Sequence, residues 1–343
     1  MAEGEKIQAR VVGRREKPRE TGSEWIAKLR VFRTVDHRRA VWQLVNTLIP
    51  YACLWYVMVW LLRRGTPVAL TVLLVVPAAG LLVRVFVLFH DCVHGSFFRS
   101  AWANRVVGYF LGSLAFTSFD VWRYSHLRHH ANQGNLDARG YGDVWTITLD
   151  EYRHSPWWTR WRYRVYRNPF VLLALGAVSS FMLANRFPPR EGGRKERWGV
   201  LLTNLLMAGM FAGIALAAGW RAYLLIQLPV LWLAAGAGIW LFYVQHQFKD
   251  VYWAKASEWD PLQAAMEGCS LYRLAGPLRW LSGNIGYHHI HHLGSRIPNY
   301  RLKACYDAIP ELWACKTLSI MGSFGCARLK LWDEAKHQLI PFP

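Results

Sequence analysis

Four histidines fall within five positions of this chain, at His288, His289, His291 and His292. Residues three and four apart share one face of a helix, so His288, His291 and His292 would point the same way and His289 elsewhere. Neutral imidazole is the commonest protein ligand for transition metals. The spacing therefore predicts a metal-binding helix face, whereas the alternative is a histidine-rich surface loop.

Two more histidine groups repeat this type of spacing. His90 and His94 are four residues apart, and the stretch 126–130 carries His126, His129 and His130. With the solitary His246 after a long apolar run, ten histidines lie near the ends of apolar segments. One tetrahedral zinc takes three or four ligands, so this number fits two metals with open positions. The ligand type alone leaves iron, copper and zinc open.

Long apolar runs must position these histidines. The chain has 343 residues and is 53% hydrophobic. Four runs, at about 41–62, 68–89, 198–218 and 222–244, approach the roughly 20 residues that cross a bilayer, and short turns join them in pairs. We predict an all-α integral membrane fold, with four transmembrane helices in two hairpins, interfacial helices near 104–119 and 170–184, and a helical cap that carries a dinuclear metal site.

Charge predicts how this fold sits in the membrane. The formal net charge is +19, and the basic residues flank the apolar runs, which favours anionic lipid headgroups over nucleic acid as the partner. The hairpin turns carry only Arg63, Arg64 and Arg221, so the histidine side is predicted to be cytoplasmic. The expected domains are a basic N-terminal cytoplasmic arm (1–40), a membrane domain (41–310) and a C-terminal cytoplasmic tail (311–343).

The histidine groups also carry a resemblance to a known family. His-x-x-x-His at 90–94, His-x-x-His-His at 126–130 and 288–292, and the loop at 134–145 together resemble the membrane fatty-acid desaturases, closest to bacterial acyl-lipid desaturases. Gln245-His246-Gln247-Phe248 and the run from Asn284 to Tyr300 add to the likeness. The resemblance covers roughly residues 40–310.

The resemblance implies a non-haem di-iron centre that uses O2 and two electrons. The implied ligands are His90, His94, His126, His129, His130, His246, His288, His291 and His292. His289 is left as the spare. Animal acyl-CoA desaturases carry an asparagine one helical turn before the solitary histidine, where this chain has Phe242, so an asparagine-held water is not implied here. Asp91, Asp143 and Asn284 are candidates to orient ligand rings.

The implied activity is introduction of a cis double bond into an acyl chain of a membrane lipid. An unactivated methylene group needs a strong oxidant, which a cofactor must supply. With no dinucleotide fingerprint or fused haem domain in this sequence, electrons are expected from an external donor of ferredoxin or flavodoxin type. The expected location is a bacterial inner (plasma) membrane, as a multi-pass protein.

Two alternatives remain open from the sequence. A hydroxylase or ketolase acting on fatty acids, alkanes or carotenoids would use the same ligands, and spacing does not separate it from a desaturase. A metal transporter or sensor is the non-enzymatic alternative, but its ligands should lie near the membrane midplane rather than beyond the ends of the spans.

Overall fold

The computed structural model describes residues 22–343, so residues 1–21 of the expected N-terminal arm lie outside the described residues. The α-helices are α1 (Gly22–Leu29), α2 (His37–Arg63), α3 (Val68–His94), α4 (Ala101–Leu114), α5 (Phe119–Asn132), α6 (Leu149–His154), α7 (Trp157–Tyr166), α8 (Gly176–Val178), α9 (Arg194–Ala218), α10 (Trp220–His246), α11 (Pro261–Glu267), α12 (Gly276–Leu281), α13 (His288–Leu293), α14 (Asn299–Ala308) and α15 (Ile320–Ser323). The strands are β1 (Ile147–Thr148), β2 (Leu271–Arg273), β3 (Thr317–Ser319), β4 (Leu331–Asp333) and β5 (Gln338–Ile340).

Four helices are long and apolar enough to cross a membrane, namely α2, α3, α9 and α10. This confirms the predicted membrane fold with two helical hairpins. Helices α3 and α10 run beyond the predicted apolar ends by five and two residues, because the polar residues that follow continue the same helix. The extensions matter for the site, since they place His90, His94 and His246 on rigid helix ends.

Helix α3 is the centre of the molecule and packs against α2, α4 and α10. It begins after Pro67 and ends at Gly95, whose φ of 67° lies in the left-handed region that glycine adopts without strain. The Ser96 amide donates to the Asp91 carbonyl and satisfies one of the last carbonyls of the helix. This sharp end fixes the positions of His90 and His94.

A buried arginine joins α3 to the helical cap. Arg84 is 2% exposed, and its Nε donates to the Thr47 hydroxyl of α2 at 2.9 Å. Its guanidinium also stacks on Trp280 of α12, 4.2 Å from the ring centroid, and donates to the Trp280 carbonyl. A charge at this depth is tolerated because it is paired internally, and the pairing draws α12 against the membrane helices.

A curved helical stretch, Val171–Arg186, is called the cavity segment here. It includes α8 between two π-helical turns and is bent by 70° from α7. The Trp232 indole of α10 donates to the Ala174 carbonyl, and Arg186 donates to the Asn204 side chain of α9 at 2.6 Å. Both partners lie well inside the membrane-length helices, so the segment packs along the bundle.

The short strands form two small sheets in the cap, which the sequence did not indicate. Strand β4 lies between β1, which is parallel to it, and β5, which is antiparallel, while β2 pairs in parallel with β3. Residues after 310 therefore pack back on the cap. Arg167 anchors them by donating to the Leu329 carbonyl and to the Gln247 side chain beside His246.

Candidate metal centre

Four separate elements bring histidines to one place. Helix α3 supplies two, α5 supplies three, α10 supplies one from its last turn and α13 supplies three. The start of α13 is fixed by a close approach, since a Cβ at Gly286 would lie 2.5 Å from the Tyr272 carbonyl oxygen. The cap therefore holds α13 against the ends of the membrane helices, where the histidine face of α13 meets the other imidazole rings.

The imidazoles form two groups in which the ligand atoms lie within 4.8 Å of one another. The five-histidine group contains His90, His94, His126, His130 and His291. The four-histidine group contains His129, His246, His288 and His292. The nine residues are those that the family resemblance implied. His37, His154 and His337 are exposed and belong to neither group.

The ring nitrogens within each group lie too close together for hydrogen bonding alone to explain their arrangement. In the five-histidine group, the Nε2 atom of His126 lies 3.1, 2.9 and 3.1 Å from the Nε2 atoms of His90, His94 and His130. An imidazole nitrogen has one in-plane lone pair or one N–H, so it does not hydrogen-bond to three others at once. A cation between the rings would resolve this convergence.

The spacing can be compared with that of nitrogens bound to one metal ion. Two ligand nitrogens at right angles, each about 2.1 Å from a metal, are about 3.0 Å apart, whereas a tetrahedral pair is about 3.4 Å apart. In the four-histidine group, the Nε2 atom of His288 lies 2.8 Å from that of His246 and 3.2 Å from that of His292. These separations allow the nitrogens to share one metal ion, and ligation by imidazole alone suits iron, copper or zinc.

Burial keeps these rings neutral and able to bind. Removal from water lowers the pKa of His126, His130, His288, His291 and His292 well below the ordinary histidine value. The neighbouring imidazoles lower these pKa values further, since each disfavours a second positive charge. Neutral rings leave a lone pair for a metal, so the centre is prepared to bind one without first losing protons.

His289 faces away from both groups. Its side chain is fully buried, and its ring centroid is 6.0 Å from that of Tyr306 in α14. Burial lowers the pKa of His289 to about 3, against an opposing backbone interaction with Leu312. The residue thus packs α13 against α14, as its position on the opposite helix face predicts.

Groups behind the ligands hold them in place. The Asp143 carboxylate contacts Nδ1 of His129, and the Gly268 carbonyl lies 3.3 Å from Nδ1 of His246. Such contacts fix the ring so that Nε2 points to the metal. The amide Nε2 of Gln133 donates to the same Gly268 carbonyl at 2.8 Å. Gln133 gave no signal in the sequence, because its role depends on a contact distant in the chain.

The other two candidate orienting residues have different surroundings. Asp91 Oδ1 is 3.6 Å from Nδ1 of His90, and Asp91 Oδ2 accepts from the backbone and side-chain amides of Asn299, each at 2.8 Å. Asn284 donates to the Asn299 carbonyl at 3.1 Å. Both residues thus tie the region around Asn299 in place, and Asn284 contacts this backbone rather than a ligand ring.

We expect Asp143→Ala to weaken metal retention about 10–100-fold, the usual cost of removing a group that orients a ligand. The reason is that His129 loses the carboxylate that holds its ring. Competition with a chelator, followed by metal determination, measures the effect. Asp150→Ala, at an exposed carboxylate in α6, is the control and should retain the metal. Equal retention by the two variants would contradict the role of Asp143.

A cavity of about 670 Å³ leads to the histidines. Its walls come from α3, α5, α10 and the cavity segment, and His90, His126 and His288 are among the residues that line it. Apart from Asp143 and these histidines, the described lining residues are apolar or uncharged. The cavity has the size and character of a site for a long apolar group.

Fold and site together define a membrane protein whose buried histidine cluster is suited to hold metal. The chain belongs to the fatty acid desaturase family, whose model matches residues 65–321, and it is therefore an oxidoreductase. A "Fatty acid desaturase" of Bacillus subtilis is 40% identical over 91% of this chain and 88% of its own length.

More distant relatives include two cyanobacterial proteins. A Nostoc "sn-1 acyl-lipid omega-3 desaturase (ferredoxin)" is 28% identical over 66% of this chain and 63% of its own length. A Synechocystis "sn-1 oleoyl-lipid 12-desaturase" is 27% identical over 68% of this chain and 66% of its own length. The match to these proteins is thus partial in length, while the Bacillus protein is matched almost throughout.

Proposed function

We propose that this chain is an acyl-lipid desaturase with a di-iron centre that introduces a cis double bond into a membrane-lipid acyl chain. The observation that carries the proposal is that two histidine groups adjoin a largely apolar cavity, which His90, His126 and His288 line. The nine histidines would hold two iron ions. With O2 and two electrons, iron supplies the oxidising power to remove hydrogen from an unactivated methylene group.

The protein itself binds and orients the acyl chain. Phe86 and Val87 of α3 and Leu241 of α10 line the cavity near the histidines, so the chain would lie against apolar walls with water excluded. The overall reaction takes two hydrogen atoms from neighbouring carbons, and O2 with two electrons and two protons becomes two molecules of water. The acyl chain gains a carbon–carbon double bond.

An esterified acyl chain suits the cavity better than a free fatty acid. Among the described lining residues there is no lysine or arginine to pair with a carboxylate, and the one acidic residue, Asp143, already contacts His129. Burial of an unpaired carboxylate is costly. The names of the cyanobacterial relatives, which describe acyl-lipid substrates, support the same substrate class.

Electrons would come from a separate protein of ferredoxin or flavodoxin type. The name of the Nostoc relative gives ferredoxin, and the net charge of +19 favours an acidic donor. The basic residues on the histidine side support a cytoplasmic orientation of the site and both termini, in a bacterial inner membrane with anionic headgroups.

The test is expression of the full chain in a bacterial host, followed by metal determination on the purified protein and mass-spectrometric location of double bonds in the host lipids. We expect bound iron and a new double bond at a defined position. An oxygenated product with no new double bond would favour the hydroxylase alternative. A protein without iron, in a host whose lipids are unchanged, would favour the transporter or sensor.

A further inference from the structure

Phe242 packs directly against two rings of the four-histidine group. It lies one helical turn before His246 on α10, with ring centroids 5.0 Å apart, and its ring is 5.2 Å from that of His129. Phe242 also lines the cavity. One aromatic side chain therefore touches two of the four histidines and faces the space that the acyl chain would fill.

The cavity reaches the two histidine groups unequally. His90 and His126 of the five-histidine group line it, whereas of the four-histidine group only His288 does. The two rings that Phe242 contacts, those of His129 and His246, are absent from the lining. The phenyl ring thus stands between these rings and the cavity, and it covers the group that has one histidine fewer.

A phenyl ring has no lone pair for a metal and excludes water. Placed against a group of four donors, it would offer a bound metal no further ligand and would keep solvent from filling the gap from the cavity side. Beside the five-histidine group, Trp122 stacks on His126 with ring centroids 4.0 Å apart and also lines the cavity. The two aromatic rings border the space in front of both groups.

We infer that Phe242 is a positioning residue that screens the four-histidine group on its cavity side. Access to this group from the cavity is confined to the neighbourhood of His288, and this fixes which carbons of the acyl chain are presented to it. The inference rests on the proposed function for the identity of the chain, but the screening itself concerns access to the metal. It is therefore testable without turnover.

The test compares Phe242→Ala and Phe242→Leu with the wild type, each loaded with iron in detergent. Azide, a small anion that binds open positions on ferric iron, is titrated and followed by its absorption band. We expect azide to bind Phe242→Ala at least about threefold more tightly, because the screen is gone, and Phe242→Leu to lie between. In the host, Phe242→Ala should spread the double bond over neighbouring positions.

Phe181→Ala is the matched control. Phe181 also lines the cavity, but its ring packs edge-on against Phe86 rather than against a histidine. This variant enlarges the cavity equally and should leave the azide affinity unchanged. An equal response from Phe181→Ala and Phe242→Ala would show a general effect of cavity volume and overturn the inference.

Three other outcomes would contradict the screening role of Phe242. Iron loss from both Phe242→Ala and Phe242→Leu would show a role in holding the site together only, and contradicts the screening role. Unchanged azide affinity and unchanged double-bond position in iron-loaded variants would contradict it directly, while the proposed function stands. A wild-type protein that holds no iron contradicts the proposed function and, with it, this inference.

Discussion

His288→Ala is expected to abolish stable iron binding in the four-histidine group and to lower desaturation by more than about 100-fold, since merely losing a group that orients a ligand costs about 10–100-fold. His288 is the histidine of that group whose Nε2 lies 2.8 Å from that of His246 and which also lines the cavity. Its loss removes a donor at the point where the acyl chain arrives. Iron determination and lipid analysis of the same preparation measure both effects.

The matched control is His289→Leu, one residue along the same helix. His289 is fully buried yet faces Tyr306, so leucine fills much of its space without touching the metal groups. This variant should keep full iron content and show an altered thermal unfolding temperature at most. If His289→Leu lost iron while His288→Ala retained it, the proposed assignment of ligands on α13 would be wrong.

The sequence indicated the helical parts of the fold because apolar runs and helical histidine spacing are local signals. The four membrane-length helices follow from runs near the thickness of a bilayer, and His126, His129 and His130 share a face by spacing alone. The choice of nine histidines required the family resemblance. Their division into groups of five and four depends on how α3, α5, α10 and α13 meet, which no local pattern encodes.

Other features of the site depend on contacts that are distant in the chain. Gln133 and Gly268 meet behind His246 although 135 residues separate them, and nothing in either segment indicates this. The two small sheets could not be predicted, because strands of two or three residues are too short to show an alternation of apolar and polar residues. The positions of Phe242 and Trp122 beside the site could have been predicted from the sequence, since each lies four residues before a proposed ligand and so shares its helix face.

Gly238→Leu is expected to block the cavity and lower desaturation by more than about 100-fold while iron content stays intact. Gly238 lines the cavity on α10, one helical turn (about 5.4 Å) from Phe242 towards the middle of the span. A Cβ added there meets nothing within 4 Å, so leucine fills open space rather than straining the helix. Its side chain would occupy the path of an acyl chain that passes the histidines.

Gly213→Leu separates blockage from a general effect on the membrane helices. Gly213 lies on α9, and a Cβ there also meets nothing within 4 Å, but the residue does not line the cavity. We expect this variant to keep wild-type activity and iron. If Gly238→Leu made the wild-type product at the wild-type rate, the acyl chain would not pass this point of α10. A product from shorter chains alone would instead show that the chain's methyl end points past Gly238 into the membrane interior.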